Sequence, residues 1–313
     1  MAGYWNRPEE TARRLKPGPM PGERVLRTRL GPEASIRTLP YGEVIDLNGV
    51  RLSLHPAGHI LGSAQVRVEH RGEVWVVSGD YKTEPDPTCT PFEPVRCHTF
   101  VTESTFGLPI YRWEEPRKVF DDINAWWRKN QDEGKTSVIT GYTLGKSQRI
   151  LKNVDAGIGK IFTHGAVDTV NRILREQGIE LPEAPRVSDA IPKADLKGAL
   201  IICPPSAVGS PWVRRFLPYS LGVASGWMKL RGTRRRRGAD RGFVLSDHAD
   251  WNDLNAAIRE TAAEKVFVTH GYSEIFSHWL REQGLDAHEV KTRFEGELGE
   301  MAEGMEIGGG EGS

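Results

Sequence analysis

Three segments of the chain place imidazole or carboxylate just beyond a short apolar run. His55-Pro56-Ala57-Gly58-His59 follows Val50-Arg51-Leu52-Ser53-Leu54, Ser78-Gly79-Asp80-Tyr81 follows Val74-Trp75-Val76-Val77, and Thr269-His270-Gly271 follows Val266-Phe267-Val268. Neutral imidazole nitrogen and carboxylate oxygen suit a borderline cation such as Zn²⁺, and a loop at a strand end leaves an open coordination position. A single histidine in such a place is more often a satisfied loop residue; the recurrence is what points to metal. Thr102-Glu103-Ser104-Thr105-Phe106-Gly107 ends another apolar run, and Ser246-Asp247-His248-Ala249-Asp250 sets acids around an imidazole. A carboxylate that orients an imidazole raises its pKa and equips it as a general acid for a leaving alkoxide. The plainer use of these residues is Glu103 as a solvated strand-end carboxylate, and Ser246 or Asp247 as the cap of a helix starting near Trp251.

A second kind of chemistry is electrostatic. Residues 229–241 hold Lys229, Arg231, Arg234, Arg235, Arg236, Arg237 and Arg241 against Asp240. Such a run neutralises several phosphates, with binding that weakens steeply as salt rises, or it is a solvated basic loop. Its place directly before the His248 segment favours a nucleic-acid track. Gly145-Lys146-Ser147-Gln148 opens a helix, where backbone amides and Lys146 could hold a phosphate. Full P-loop spacing is absent, which argues against nucleotide hydrolysis. His164 divides evenly between a place in a cleft and a structural role. His55, His70, His98, His278 and His288 read as structural or surface residues, and Trp126-Trp127 as core.

These side chains need elements to hold them. The chain has 313 residues, 38% of them apolar, and its 42 basic and 42 acidic side chains cancel. That length allows one large or two modest domains with a real core. The 34 glycines and 20 prolines are spread among short Val/Ile/Leu runs, which excludes wholesale disorder, collagen and coiled coil. No apolar run approaches the ~18 residues needed to cross a bilayer and no signal-peptide core is visible, so a cytoplasmic protein without membrane contact is expected. Cys89, Cys97 and Cys203 form no Cys-x-x-Cys pair, which leaves metal chemistry to the nine histidines. Asn48-Gly49 and Arg71-Gly72 each join two alternating runs into a hairpin. Beyond Trp113 the pattern alternates helix and strand: helices over 119–127, 146–152 and 167–176, strands over 137–140, 160–163 and 199–203. Strands at 242–245 and 265–269 follow, with helices over 251–263 and 274–283. Such alternation predicts parallel α/β layers.

The ordered series Pro56-Ala57-Gly58-His59-Ile60-Leu61-Gly62-Ser63-Ala64, Ser78-Gly79-Asp80-Tyr81, Thr102 to Gly107, Ser246 to Asp250 and Val268-Thr269-His270-Gly271 resembles the β-CASP branch of the metallo-β-lactamase superfamily. Three stretches are similar to the ligase-associated DNA exonucleases of that branch: Val74 to Lys82, Asp86 to Cys89 with Pro91 to Val95, and Gly242 to Trp251. The resemblance covers about Val25 to Gly296. It implies a four-layer αββα sandwich over 37–112 and 241–296, with an inserted β-CASP-like α/β cap over 113–240. An atypical segment at 1–36 and a disordered tail at 297–313 complete the expected organisation. The resemblance also implies two divalent ions, zinc or manganese, with His59, Asp80 and His270 as ligands and Asp80 bridging. It makes Glu103 and His248 the acid pair. DNA is the implied substrate, and an ATP-dependent DNA ligase and a helicase are the implied partners.

One part of the family pattern is missing. The cluster His-x-His-x-Asp-His should precede Pro56, yet the first histidine of the chain is His55. Either the N-terminus is not that of an intact family member, or hydrolysis has been lost and binding kept; we favour the first. The expectation is a DNA exonuclease with little or no activity. The alternatives are an RNA-processing β-CASP nuclease and a non-catalytic nucleic-acid-binding protein.

Overall fold

The computed structural model describes residues 36, 38–230, 232 and 238–290. In chain order they form β1 (Val44–Leu47), β2 (Val50–Pro56), β3 (Ala64–His70), β4 (Glu73–Val77), β5 (Thr99–Ser104), α1 (Pro116–Asp132) and β6 (Thr136–Thr140). There follow α2 (Lys146–Asn153), β7 (Ile161–Thr163), α3 (Gly165–Glu176), β8 (Leu200–Cys203), β9 (Tyr219–Ala224) and β10 (Arg241–Phe243). The last elements are α4 (Trp251–Thr261), β11 (Lys265–Gly271), α5 (Ser273–Glu282) and β12 (Asp286–Glu289). Two compact units result, one from residues up to Arg112 together with those from His248 on, the other from Trp113–Asp247. Apart from Ile36, the N-terminal segment and the tail of the sequence reading lie outside the described residues.

The first unit has one seven-stranded sheet in the order β1-β2-β3-β4-β5-β11-β12. Asn48-Gly49 and Arg71-Gly72 make its two tight hairpin turns, all four residues at positive φ (56° and 83°, 51° and 86°), as two-residue turns matched to strand twist require. From β4 to β12 the pairing is parallel. One face of these strands is packed by α4 and α5: Val76, Phe100, Val266 and Val268 meet Leu254, Ile258, Phe276 and Leu280, all buried. Burial of each such side chain stabilises by roughly 1.5–3 kcal/mol. Strand alternation sends Val66, Val68, Trp75, Val77, Val101 and Phe267 to the opposite face, where Trp75 and Val77 are 39% and 40% exposed. Among the described residues this unit has one sheet, not the two of the sandwich that the resemblance implies.

The second unit is a five-stranded parallel sheet, β10-β9-β6-β8-β7, the topology that alternating helix and strand predicts. Ile123 and Trp127 of α1 and Ile150 and Leu151 of α2 bury against Ile139, Leu200 and Ile202. Residues 241–247, assigned by sequence to the first domain, belong here because β10 pairs along β9. The cap of α4 also differs from expectation. It is Asp250, which accepts from the Asp253 amide at 2.9 Å, and neither Ser246 nor Asp247.

Candidate metal centre

Strands β4, β5 and β11 are neighbours whose ends carry Asp80, Glu103 and His270; the loop after β2 brings His59, and the loop entering α4 adds His248. His270 Nε2 lies 2.8 Å from Asp80 Oδ1, and His59 Nε2 lies 4.0 Å from Asp80 Oδ2. His248 Nδ1 is 2.9 Å from Glu103 Oε2, and its ring centroid is 4.7 Å from that of His59. Ligand atoms of His59, Asp80 and His248 lie within 4.8 Å of one another, as do those of Asp80, Glu103 and His270. Each group offers a cation one carboxylate with imidazole or a second carboxylate, and Asp80 is common to both; Glu103 and His248, one in each group, also bond each other.

The electrostatics favour the same assembly. Burial pushes the Asp80 carboxyl up, but the His270 hydrogen bond and the charges of His248, His59 and His270 outweigh it and hold the group well below the usual carboxylate range. Burial depresses His270, and the hydrogen bond and charge of Asp80, with the charge of Glu103, more than reverse this and raise it. An ionised carboxylate suits a cation, and the raised His270 means that a cation must displace the proton shared with Asp80. The site is also open to solvent: the Asp80 side chain is 39% exposed, that of His270 21%.

Local sequence explains how these side chains are aimed. Gly271 has φ 90°, and a Cβ there would overlap the Ser104 carbonyl. Only glycine lets β11 approach β5 so closely at this end. The Ser104 hydroxyl, which donates to the carbonyls of Thr269 (3.1 Å) and His270 (2.8 Å), fixes the approach. Thr269 Oγ1 donates to the Thr102 carbonyl at 3.1 Å and stands 3.2 Å from His270 Nδ1. The Tyr81 amide donates to Glu103 Oε1 at 2.7 Å, and the Tyr81 carbonyl accepts from the Ala249 amide at 2.7 Å. One residue thereby ties Glu103 to the loop of His248. Phe106 meets the His248 ring edge-on at 5.9 Å. Tyr81, Ser104, Phe106 and Thr269 were given no role from sequence, although each stands inside one of the motifs.

The residues proposed for phosphate contact fare differently. Lys146 is buried, 3.3 Å from Asp247, with its ammonium 4.8 Å from the centre of the Tyr142 ring. The Ser147 amide bonds the Tyr142 carbonyl, and the Gly145 amide bonds Gln148 Oε1 at 2.8 Å. Lys146 and this helix start thus have structural partners within the unit. Arg241 is exposed and pairs with Asp122 at 3.0 Å. Arg231, Arg234, Arg235, Arg236 and Arg237 lie outside the described residues. His164 has a structural place: it caps α3 through Nδ1 and packs edge-on against Trp212. Trp127 is fully buried and donates to the Gly198 carbonyl.

No family model matches the chain. A protein named "Probable DNA ligase" from Opitutus terrae is 31% identical over 278 residues, 88% of this chain and 27% of that protein. "Cleavage and polyadenylation specificity factor 73" of Drosophila melanogaster is 30% identical over 42% of this chain and 20% of its own length. "Endoribonuclease YSH1" of Saccharomyces cerevisiae is 29% identical over 38% of this chain and 15% of its own. The chain therefore spans about a quarter or less of these relatives. A solved structure of a protein of unknown function from Enterococcus faecalis V583 aligns over 75% of this chain and 61% of its own, with TM-score 0.51 and 12% identity, a likeness of fold alone. No helix among the described residues is long and apolar enough to cross a membrane. Together the sequence relatives support a β-CASP-type nuclease relationship for a mixed α/β chain.

Proposed function

We propose that this chain is a DNA-end phosphodiesterase of the β-CASP type, tied to ligation, with hydrolysis impaired in the chain as it stands. The observation that carries the reading is the convergence of two groups of donor atoms on Asp80, beside the hydrogen bond between Glu103 and His248. His59, Asp80 and His270 would hold one divalent cation. When bound, such an ion supplies an activated water and offsets charge developing on the phosphate oxygens. Glu103 holds His248 through Nδ1, so the proton for the leaving oxygen is carried on Nε2. The impairment part of the reading rests on one sequence fact: residues 1–54 contribute no histidine to the centre. The ligase link draws on the match to a DNA ligase-named protein, of which 27% lies within the match.

A second reading, RNA processing, is favoured by one observation: the cleavage factor and the endoribonuclease match this same chain at about 30% identity. The test offers end-labelled DNA and RNA of one sequence to the purified chain, with zinc or manganese, over a salt series. We expect zinc uptake, salt-sensitive DNA binding and slow or absent cleavage that Asp80→Asn abolishes. Preferential RNA cleavage moves the assignment to the second reading. Rapid DNA degradation overturns the impairment, and absence of zinc uptake overturns the centre.

A further inference from the structure

Lys82 and Asp86 form a 2.8 Å ion pair whose side chains are 1% and 3% exposed. Burying two charges costs several kcal/mol per ion, and a well-packed apolar pair often serves stability equally or better. Stability alone is therefore a poor reason for the pair, and its surroundings suggest another. The second Asp86 oxygen accepts from the Thr88 amide at 2.9 Å and from its hydroxyl at 2.6 Å, which closes a tight turn. This turn holds Cys89, whose Sγ donates to the Gly58 carbonyl at 3.3 Å. At the other end of the pair, the Lys82 amide donates to the Ala57 carbonyl at 3.0 Å. Gly58 has φ 69°, and a Cβ there would overlap the Lys82 carbonyl and crowd Phe92. Further on, the Glu93 amide bonds the Pro56 carbonyl at 3.2 Å, and the Gln65 amide group bridges the carbonyls of Pro56 and Glu93 at 2.9 and 2.7 Å. Residues 82–93 thus grip Pro56, Ala57 and Gly58, the three residues immediately before His59.

We propose that the buried Lys82–Asp86–Thr88 assembly is a positioning device for His59, fixing that imidazole at the distance from Asp80 at which both can bind one cation. The inference rests on the metal reading of the centre, but its geometric part can be tested without metal. The decisive variant is Lys82→Met with Asp86→Leu, which replaces the pair by apolar side chains and leaves no unpaired charge. We expect a moderate fall in Tm, because the Thr88 amide and hydroxyl lose their acceptor, with the fold retained. Its zinc affinity, by calorimetry, should fall about 10- to 100-fold, the usual effect of losing a group that orients a ligand. Because the assembly acts through His59, His59→Ala should cost much less zinc affinity in the double variant than in the parent, a non-additivity that general destabilisation does not produce.

A second readout needs no metal. The imidazole carbon-proton resonances of His59 should move in the double variant while those of His164 and His278 stay fixed. Unchanged zinc affinity together with an unmoved His59 signal overturns the proposal. Additive losses, or movement of all the histidine signals, overturn it in favour of a purely structural pair. If the parent takes up no zinc but the His59 signal alone moves, the metal reading falls and the positioning role stands.

Discussion

The two units end parallel strands in loops, where α/β sheets commonly bind ligands, and they use those ends in opposite ways. In the first unit β4 and β11 end at Asp80 and His270, whose side chains are 39% and 21% exposed, and the field between them holds the carboxyl ionised. In the second unit Lys146, Arg149 and Asp247, beyond the ends of β6 and β10, are each no more than 4% exposed, with Asp247 3.3 Å from Lys146 and 3.9 Å from Arg149. Arg149 also donates to the Ser246 carbonyl at 2.5 Å. The same residue types can thus serve chemistry or architecture. Access to solvent combined with an excess of like donors separates the first use from the second.

The comparison breaks first at Asp80 and Lys146. Asp80→Ala should weaken zinc binding at least about 100-fold and cost less stability than breaking a fully buried pair, because the side chain is 39% exposed and its interactions are screened. Lys146→Met should do the reverse, costing about 3–5 kcal/mol in a urea titration because it strips the nearest cation from buried Asp247. Zinc affinity should not move. If Lys146→Met instead abolished zinc or DNA binding at full stability, the division of labour between the units would be wrong.

A smaller effect sharpens the division within the first unit. Glu103→Gln keeps the shape of the dyad and removes its charge. Whatever DNA or RNA cleavage the chain retains should fall about 10²- to 10⁴-fold, the range for losing general acid assistance. Zinc uptake should persist, since Glu103 is committed to His248 and to the Tyr81 amide. Loss of zinc along with cleavage would make Glu103 a ligand and dissolve the distinction between the donor set and the dyad.

The strand-end motifs were legible in the sequence because each is a local string: an apolar run, then glycine, histidine or aspartate. What the sequence hid was long-range or three-dimensional. Lys146 read as an open helix start because its partner Asp247 lies about a hundred residues on, and because hydrogen bonds from Gly145 and Ser147 leave no spacing signature. Strand β9 escaped notice since Pro218 precedes it and Gly222 interrupts its apolar pattern, and missing β9 misplaced the boundary at 241. Lys82 and Asp86, four residues apart, look like a surface pair until residues 56–59 are folded over them.

The smallest predicted effect concerns pH in the metal-free protein and asks whether the first unit's field is as directional as its geometry. His270 ordinarily titrates near 6.5, and in the folded chain Asp80 and Glu103 raise it. A raised folded-state pKa means that the folded form binds the proton more tightly. The resulting stability is fully present below pH 6.5 and fades as pH rises through the folded value. His270→Ala should therefore lower the urea midpoint more at pH 6 than at pH 9, with the gap closing between them, by an amount that added salt reduces because the groups are partly exposed. Asp80 acts at the other end of the scale. Its depressed pKa contributes stability that is present above the ordinary carboxylate value and lost on acidification. The same two midpoints for Lys146→Met should differ from the parent by one constant amount, since the ion pairs it disturbs, Lys146–Asp247 and Arg149–Asp247, contain no imidazole. A pH-independent cost at His270 would mean that it contributes packing alone, and the contrast between an electrostatically tuned centre and a static buried pair would lose its basis.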